Sequence, residues 1–81
     1  MSRPAALTEG VVVALGERRV IGAFALAGVD LRCAEDATAV RAAWGTLGPE
    51  VALVLLSARA AQALGERTDA LDSPLTAVIP S

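Results

Sequence analysis

Hydrophobic positions along this chain fall into blocks of two kinds, and their alternation predicts most of the architecture. Val11-Val12-Val13-Ala14-Leu15 is an unbroken apolar run between Gly10 and Gly16. A run without polar alternation predicts a strand buried on both faces, the mark of a parallel sheet covered by helices. Val20, Phe24 and Ala27 then recur at i, i+4 and i+7, one face of a helix, and Gly28 suits the left-handed position at its end. Val29-Asp30-Leu31-Arg32-Cys33 alternates apolar and polar residues, which predicts a half-exposed edge strand whose outward charges discourage unwanted pairing.

Glu35 and Asp36 bring acids to the start of a second helix, in which Val40, Trp44 and Leu47 repeat with helical spacing. Gly48-Pro49 ends it, because proline cannot continue the hydrogen-bond ladder. Val51–Leu56 is the strongest buried strand in the sequence. Ser57 is placed to cap a helix over Ala58–Leu64, Gly65 ends or weakens that helix, and Glu66–Leu71 adds a further turn. Asp72-Ser73-Pro74 reads as a turn and Leu75–Ile79 as a last short strand.

Residues 1–10 read as a loose leader and 11–81 as one α/β domain of order βαβαβαβ. That order predicts four parallel strands joined by right-handed crossovers, with helices on both faces. Reversal of direction after the second strand gives the strand order 2-1-3-4 of flavodoxin-like (Rossmann-like) sheets.

Composition narrows the chemistry. The chain has 81 residues, 54% of them hydrophobic, yet Phe24 and Trp44 are its only aromatics. A domain this small buries about 60–65% of its unfolded surface, so a partner that covers more apolar area would add stability. Seven arginines against nine acids leave a net charge of −2, which argues against nucleic acid as a partner. With no histidine there is no imidazole base, and a single cysteine closes no internal disulfide and makes no CxxC pair, so neither metal nor cofactor is expected. Cys33 reads as a small apolar residue in a buried strand, and Trp44 as a core residue. No apolar run approaches the roughly 20 residues of a membrane span, and the first ten residues carry no apolar stretch typical of a signal peptide. A cytoplasmic chain without membrane insertion is the expectation.

Ligands in open α/β sheets gather at the carboxyl ends of the strands. Gly16-Glu17-Arg18-Arg19, after the first strand, contains neither GxGxxG nor a phosphate-cradling GK[ST]. Arg18-Arg19 reads as a solvated helix start in preference to an anion site. A phosphorelay receiver, which has this layout, needs paired acids, a phospho-accepting aspartate and a lysine. Here Glu17 stands alone, the third strand ends in Leu56-Ser57, and lysine does not occur. Ser57 lacks the GxSxG frame and a histidine to activate it, so it reads as a helix cap. An acid–base role for Glu17 or Asp30 is the remaining enzymatic option, and no neighbouring residue supports it. The expectation is a protein without catalytic residues.

Val11-Val12-Val13-Ala14-Leu15-Gly16 followed by Phe24-Ala25-Leu26-Ala27-Gly28-Val29 resembles the N-terminal half of the F subunit of V/A-type ATPases. In that family a strand similar to VAVIGD precedes a helix ending like GFRLAGV. The acidic start of the second helix, Val51–Leu56 with Ser57, and Leu75-Thr76-Ala77-Val78-Ile79-Pro80-Ser81 also resemble it, so the likeness runs from Val11 to Ser81. Ala23-Phe24-Ala25 replaces the family's GFR, and members continue past the corresponding last segment into a C-terminal tail and helix. The resemblance implies a non-catalytic rotor subunit of the central stalk, peripheral to the membrane. It would be held by the coiled-coil D subunit and would couple ATP synthesis or hydrolysis to ion transport by transmitting torque. It further implies partner contacts at Leu75, Val78 and Ile79. The competing expectation is a receiver-like signalling or binding module without a phosphorylation site.

Overall fold

A computed structural model describes residues 10–70 and 73–80; residues 1–9 of the expected leader, Leu71 at the end of the expected helical turn, Asp72 of the expected turn, and Ser81 lie outside the described residues. Four strands, β1 (Val11–Gly16), β2 (Asp30–Cys33), β3 (Val51–Leu56) and β4 (Leu75–Val78), form one sheet in the order β2-β1-β3-β4, and every pairing is parallel. The expected α/β class and strand order 2-1-3-4 are both present.

Three helices connect them: α1 (Arg18–Ile21), α2 (Ala37–Gly45) and α3 (Ala58–Leu64). The first crossover departs from a regular helix. Only four residues of it are α-helical, and Gly22–Ala27 continue as a 3-10 helix. Gly22 contributes no side chain to hold an α-helical turn, and the segment buries none of its residues, so little packing favours the wider helix. Gly28 stops it with φ of 79°, its amide donating to the Ala25 carbonyl at 3.2 Å. The segment after α3 is likewise a 3-10 helix, Gly65–Asp69.

Register assigns each side chain to a face, because paired residues in parallel strands point the same way and successive residues alternate. Val13 pairs with Val54 and Leu15 with Leu56. These four, with Val40 of α2 and Ala60 and Leu64 of α3, form the main core. Trp44 and Leu47 pack against its margin. Helices α2 and α3 therefore cover one face. Ala14 points to the other, where Ile21 of α1 is also fully buried. The two-sided covering expected of β1 holds for Val13–Leu15 but not for its start: Val11 is exposed and Val12 half-buried, since neither helical layer reaches that end.

Cys33 corrects another expectation. It is exposed, at the last position of β2, an edge strand. The alternation of β2 is as predicted at its charges: Arg32 and Asp30 form an ion pair at 3.1 Å on the edge strand. No helix among the described residues is long and apolar enough to cross a membrane.

Candidate functional site

Two places in this fold have the character of a site: the outer strand β4, and a cleft at the carboxyl ends of β1, β2 and β3. At β4, Leu75 is 76% exposed and Val78 55% exposed, while Ile79 is half-buried. Leu75 pairs with Leu53, Ala77 with Leu55, and Val78 with Leu56. The first two pairs lie on the face of α1, and the Leu56 face belongs to α2 and α3. The three expected contact residues are thus not one surface. Leu75 projects from the α1 side and Val78 from the opposite side.

On the α1 side, Val12, Leu53, Leu55, Leu75 and Ala77 form an apolar strip over β1, β3 and β4, none of it buried. The reason is topological. The first crossover lays α1 over β1 and β2, whereas the second and third run in the opposite direction and put α2 and α3 on the other side. Beyond Val78, the Ile79 amide donates to the Leu56 carbonyl at 2.7 Å, so the sheet ladder continues by one residue. A hollow of about 370 Å³ lies between Arg19 and Val20 of α1 and Ile79-Pro80, marking the upper end of this uncovered strip.

At the carboxyl ends, backbone bonds continue from strand to loop: Ala34 donates to the Gly16 carbonyl at 2.8 Å, and Ser57 to the Leu15 carbonyl at 3.1 Å. The tight approach of β1 to β3 depends on Gly16. A Cβ there would stand 2.6 Å from the Ser57 Cβ, far inside contact distance. Ser57 caps α3 as expected, accepting from the Ala60 amide at 3.1 Å. Its hydroxyl also donates to Glu17 Oε1 at 2.5 Å. Glu17 is only 6% exposed. The Ser57 hydrogen bond holds its carboxyl below the usual glutamate range, aided by its own backbone amide and by the charges of Arg59 and Arg19, against the opposing effect of burial.

Glu17, which has no paired acid beside it in sequence, is tied to a serine forty positions away. The one local signal was its place between a strand-ending glycine and a helix start, where the N-cap lies. Its side chain caps nothing locally and reaches across to β3 instead. Arg18 forms part of the helix start as expected, and its backbone amide donates to Glu35 Oε2 at 3.0 Å, which ties the loops after β1 and β2 together. Asp36 caps α2 by accepting from the Ala39 amide at 2.7 Å. Between these loops and α3 opens a cleft of about 370 Å³ lined by Glu17, Glu35, Asp36, Val40, Arg59 and Gln62 among others. Asp30, the other candidate acid, is engaged with Arg32 and lies outside it. Among the described residues no group of histidine, cysteine and acidic side chains is placed to hold a metal ion.

Comparison with known proteins finds no family model that matches the chain and no matching curated protein.

Proposed function

We propose that this chain is a docking subunit without chemistry of its own, the central-stalk F subunit of a V/A-type ATPase or ATP synthase. In that role it is gripped by the coiled-coil D subunit on the cytoplasmic side of the membrane and passes torque between catalysis and ion transport. The observation that carries the reading is the apolar strip on the α1 side of β3 and β4, with Leu75 at its outer rim. An apolar sheet face that the described helices leave open is suited to receive a partner helix. The succession from Val11-Val12-Val13 to the Ile79-Pro80-Ser81 ending, similar to the family throughout, supports the same assignment.

Affinity purification of the tagged chain from native membranes tests it. Recovery together with the catalytic subunits of a rotary ATPase is the expected result. Leu75→Glu should abolish that recovery, while Val78→Glu, on the opposite face, should retain it. Recovery of the wild-type chain free of any ATPase subunit would reject the stalk assignment. The carboxyl-end cleft favours one second reading, a free-standing binding module of the same fold, which that outcome would support.

A further inference from the structure

The cleft at the carboxyl ends of β1, β2 and β3 has no part in the docking surface. It lies where parallel sheets of this strand order bind ligands, at the point between β1 and β3 where the order reverses. Its volume of about 370 Å³ is that of a small-molecule pocket, for which about 300–1,000 Å³ is usual.

Its charges are arranged in an uncommon way. Glu17, Glu35 and Asp36 come from the loops after β1 and β2, while Arg59 and Gln62 come from α3 across the opening. Opposite charges that face one space can close into an ion pair. Here they do not: among the described residues the one ion pair is Arg32–Asp30, neither member of which lines the cleft. Each acid instead has one oxygen committed to the fold. Glu17 Oε1 accepts from Ser57, Glu35 Oε2 from the Arg18 amide, and Asp36 Oδ1 from the Ala39 amide. The second oxygen of each accepts nothing from another described residue. Glu17 itself is only 6% exposed, and no buried side-chain polar atom among the described residues lacks a partner. Glu17 lines the cleft, so its carboxylate adds negative charge to that space.

We propose that this cleft binds a small zwitterion of the amino-carboxylate class, its ammonium group facing Glu17, Glu35 and Asp36 and its carboxylate facing Arg59. A molecule with a single positive charge would satisfy the acids and leave the guanidinium unpaired; one with a single negative charge would do the reverse. Val40 and Ala63 supply apolar wall between the poles. Charge-assisted hydrogen bonds at both ends of one molecule give the selectivity.

The experiment is a titration of the isotope-labelled full chain followed by amide chemical shifts, which requires neither membrane nor partner. The probes are glycine, β-alanine, 4-aminobutyrate and 6-aminohexanoate, with methylammonium and acetate as single-charge controls. At least one zwitterion should shift the amides of Glu17, Glu35 and Arg59 and bind about tenfold or more tightly than either control. Arg59→Gln and Glu35→Gln, both on the exposed rim of the cleft, should each lower that affinity by about tenfold while leaving the remaining spectrum in place. Equal binding of methylammonium would reduce the site to a patch of acids and overturn the proposal. So would the lack of any saturable shift with all four zwitterions, or full binding by Arg59→Gln. Because no stalk subunit is present, failure here leaves the docking assignment untouched, and failure of docking leaves this result untouched.

Discussion

The Ser57 hydroxyl donates to the Glu17 carboxylate at 2.5 Å, joining the loops that follow β1 and β3 across forty residues of sequence. The same serine oxygen accepts from the Ala60 amide and starts α3. One side chain thereby fixes a helix and a sheet loop together. Ser57→Ala removes the cap and leaves a mostly buried carboxylate without its donor, so it should cost about 2–3 kcal/mol. Since the whole domain is expected to have roughly 4–12 kcal/mol of stability at this length, the loss will be plain in a urea titration.

The pairing also sets a dependence on pH. The folded carboxyl of Glu17 titrates below its ordinary value of 4.5, so the folded state favours the ionised form. Its contribution is complete above that value and is lost as pH falls through the depressed one. The stability advantage of the wild type over Glu17→Gln should therefore be constant near neutrality and shrink on acidification below 4.5. Paired urea titrations across that range measure it. An advantage that stayed constant through acid would contradict the assigned ionisation.

Gly16 is the position where β1 approaches Ser57 too closely for any side chain. Gly16→Ala would place a methyl 2.6 Å from the Ser57 Cβ. Overpacking of this kind costs about 1–3 kcal/mol. Thermal denaturation should register it, and the amide shifts of Glu17 and Ser57 should move as the two loops part.

Most of the fold was legible because the signals are local. The glycine at 28, the proline at 49 and the unbroken run Val51–Leu56 each dictate an element with little help from distant residues. What escaped was non-local. The reach of Glu17 to Ser57 depends on strands 1 and 3 being neighbours, which only the topology supplies. Residue type alone places Cys33 in the interior, whereas its exposure follows from the edge position of β2. The resemblance implies contacts at Leu75, Val78 and Ile79 together, whereas an odd spacing in a strand sends Leu75 and Val78 to opposite faces. The spacing of Val20, Phe24 and Ala27 predicts a regular helix, and its 3-10 half reflects packing too sparse for periodicity to predict.

Leu64 is fully buried at the centre of the contact between α3 and the sheet. Leu64→Ala should cost about 2–5 kcal/mol. In so small a domain that change should populate the unfolded form, visible as loss of amide dispersion. A stability close to wild type would show that the core is not where the register places it.

Leu75→Ser should behave in the opposite way. With most of its surface in solvent, Leu75 contributes little to the isolated fold, and the substitution should stay within about 0.5 kcal/mol of wild type. A combined measurement of melting temperature and membrane recovery separates the two roles of this residue, since only the second should change.

The two rims of the sheet are chemically unlike. On β2 the Arg32–Asp30 pair guards the open backbone, whereas the sequence Leu75-Thr76-Ala77-Val78 of β4 carries no charge at all. Strand addition is therefore discouraged on one side and permitted on the other. Should two copies ever join through their sheets, they would meet β4 against β4 and leave only guarded rims outward. Growth would then stop at a pair instead of running on into a fibre.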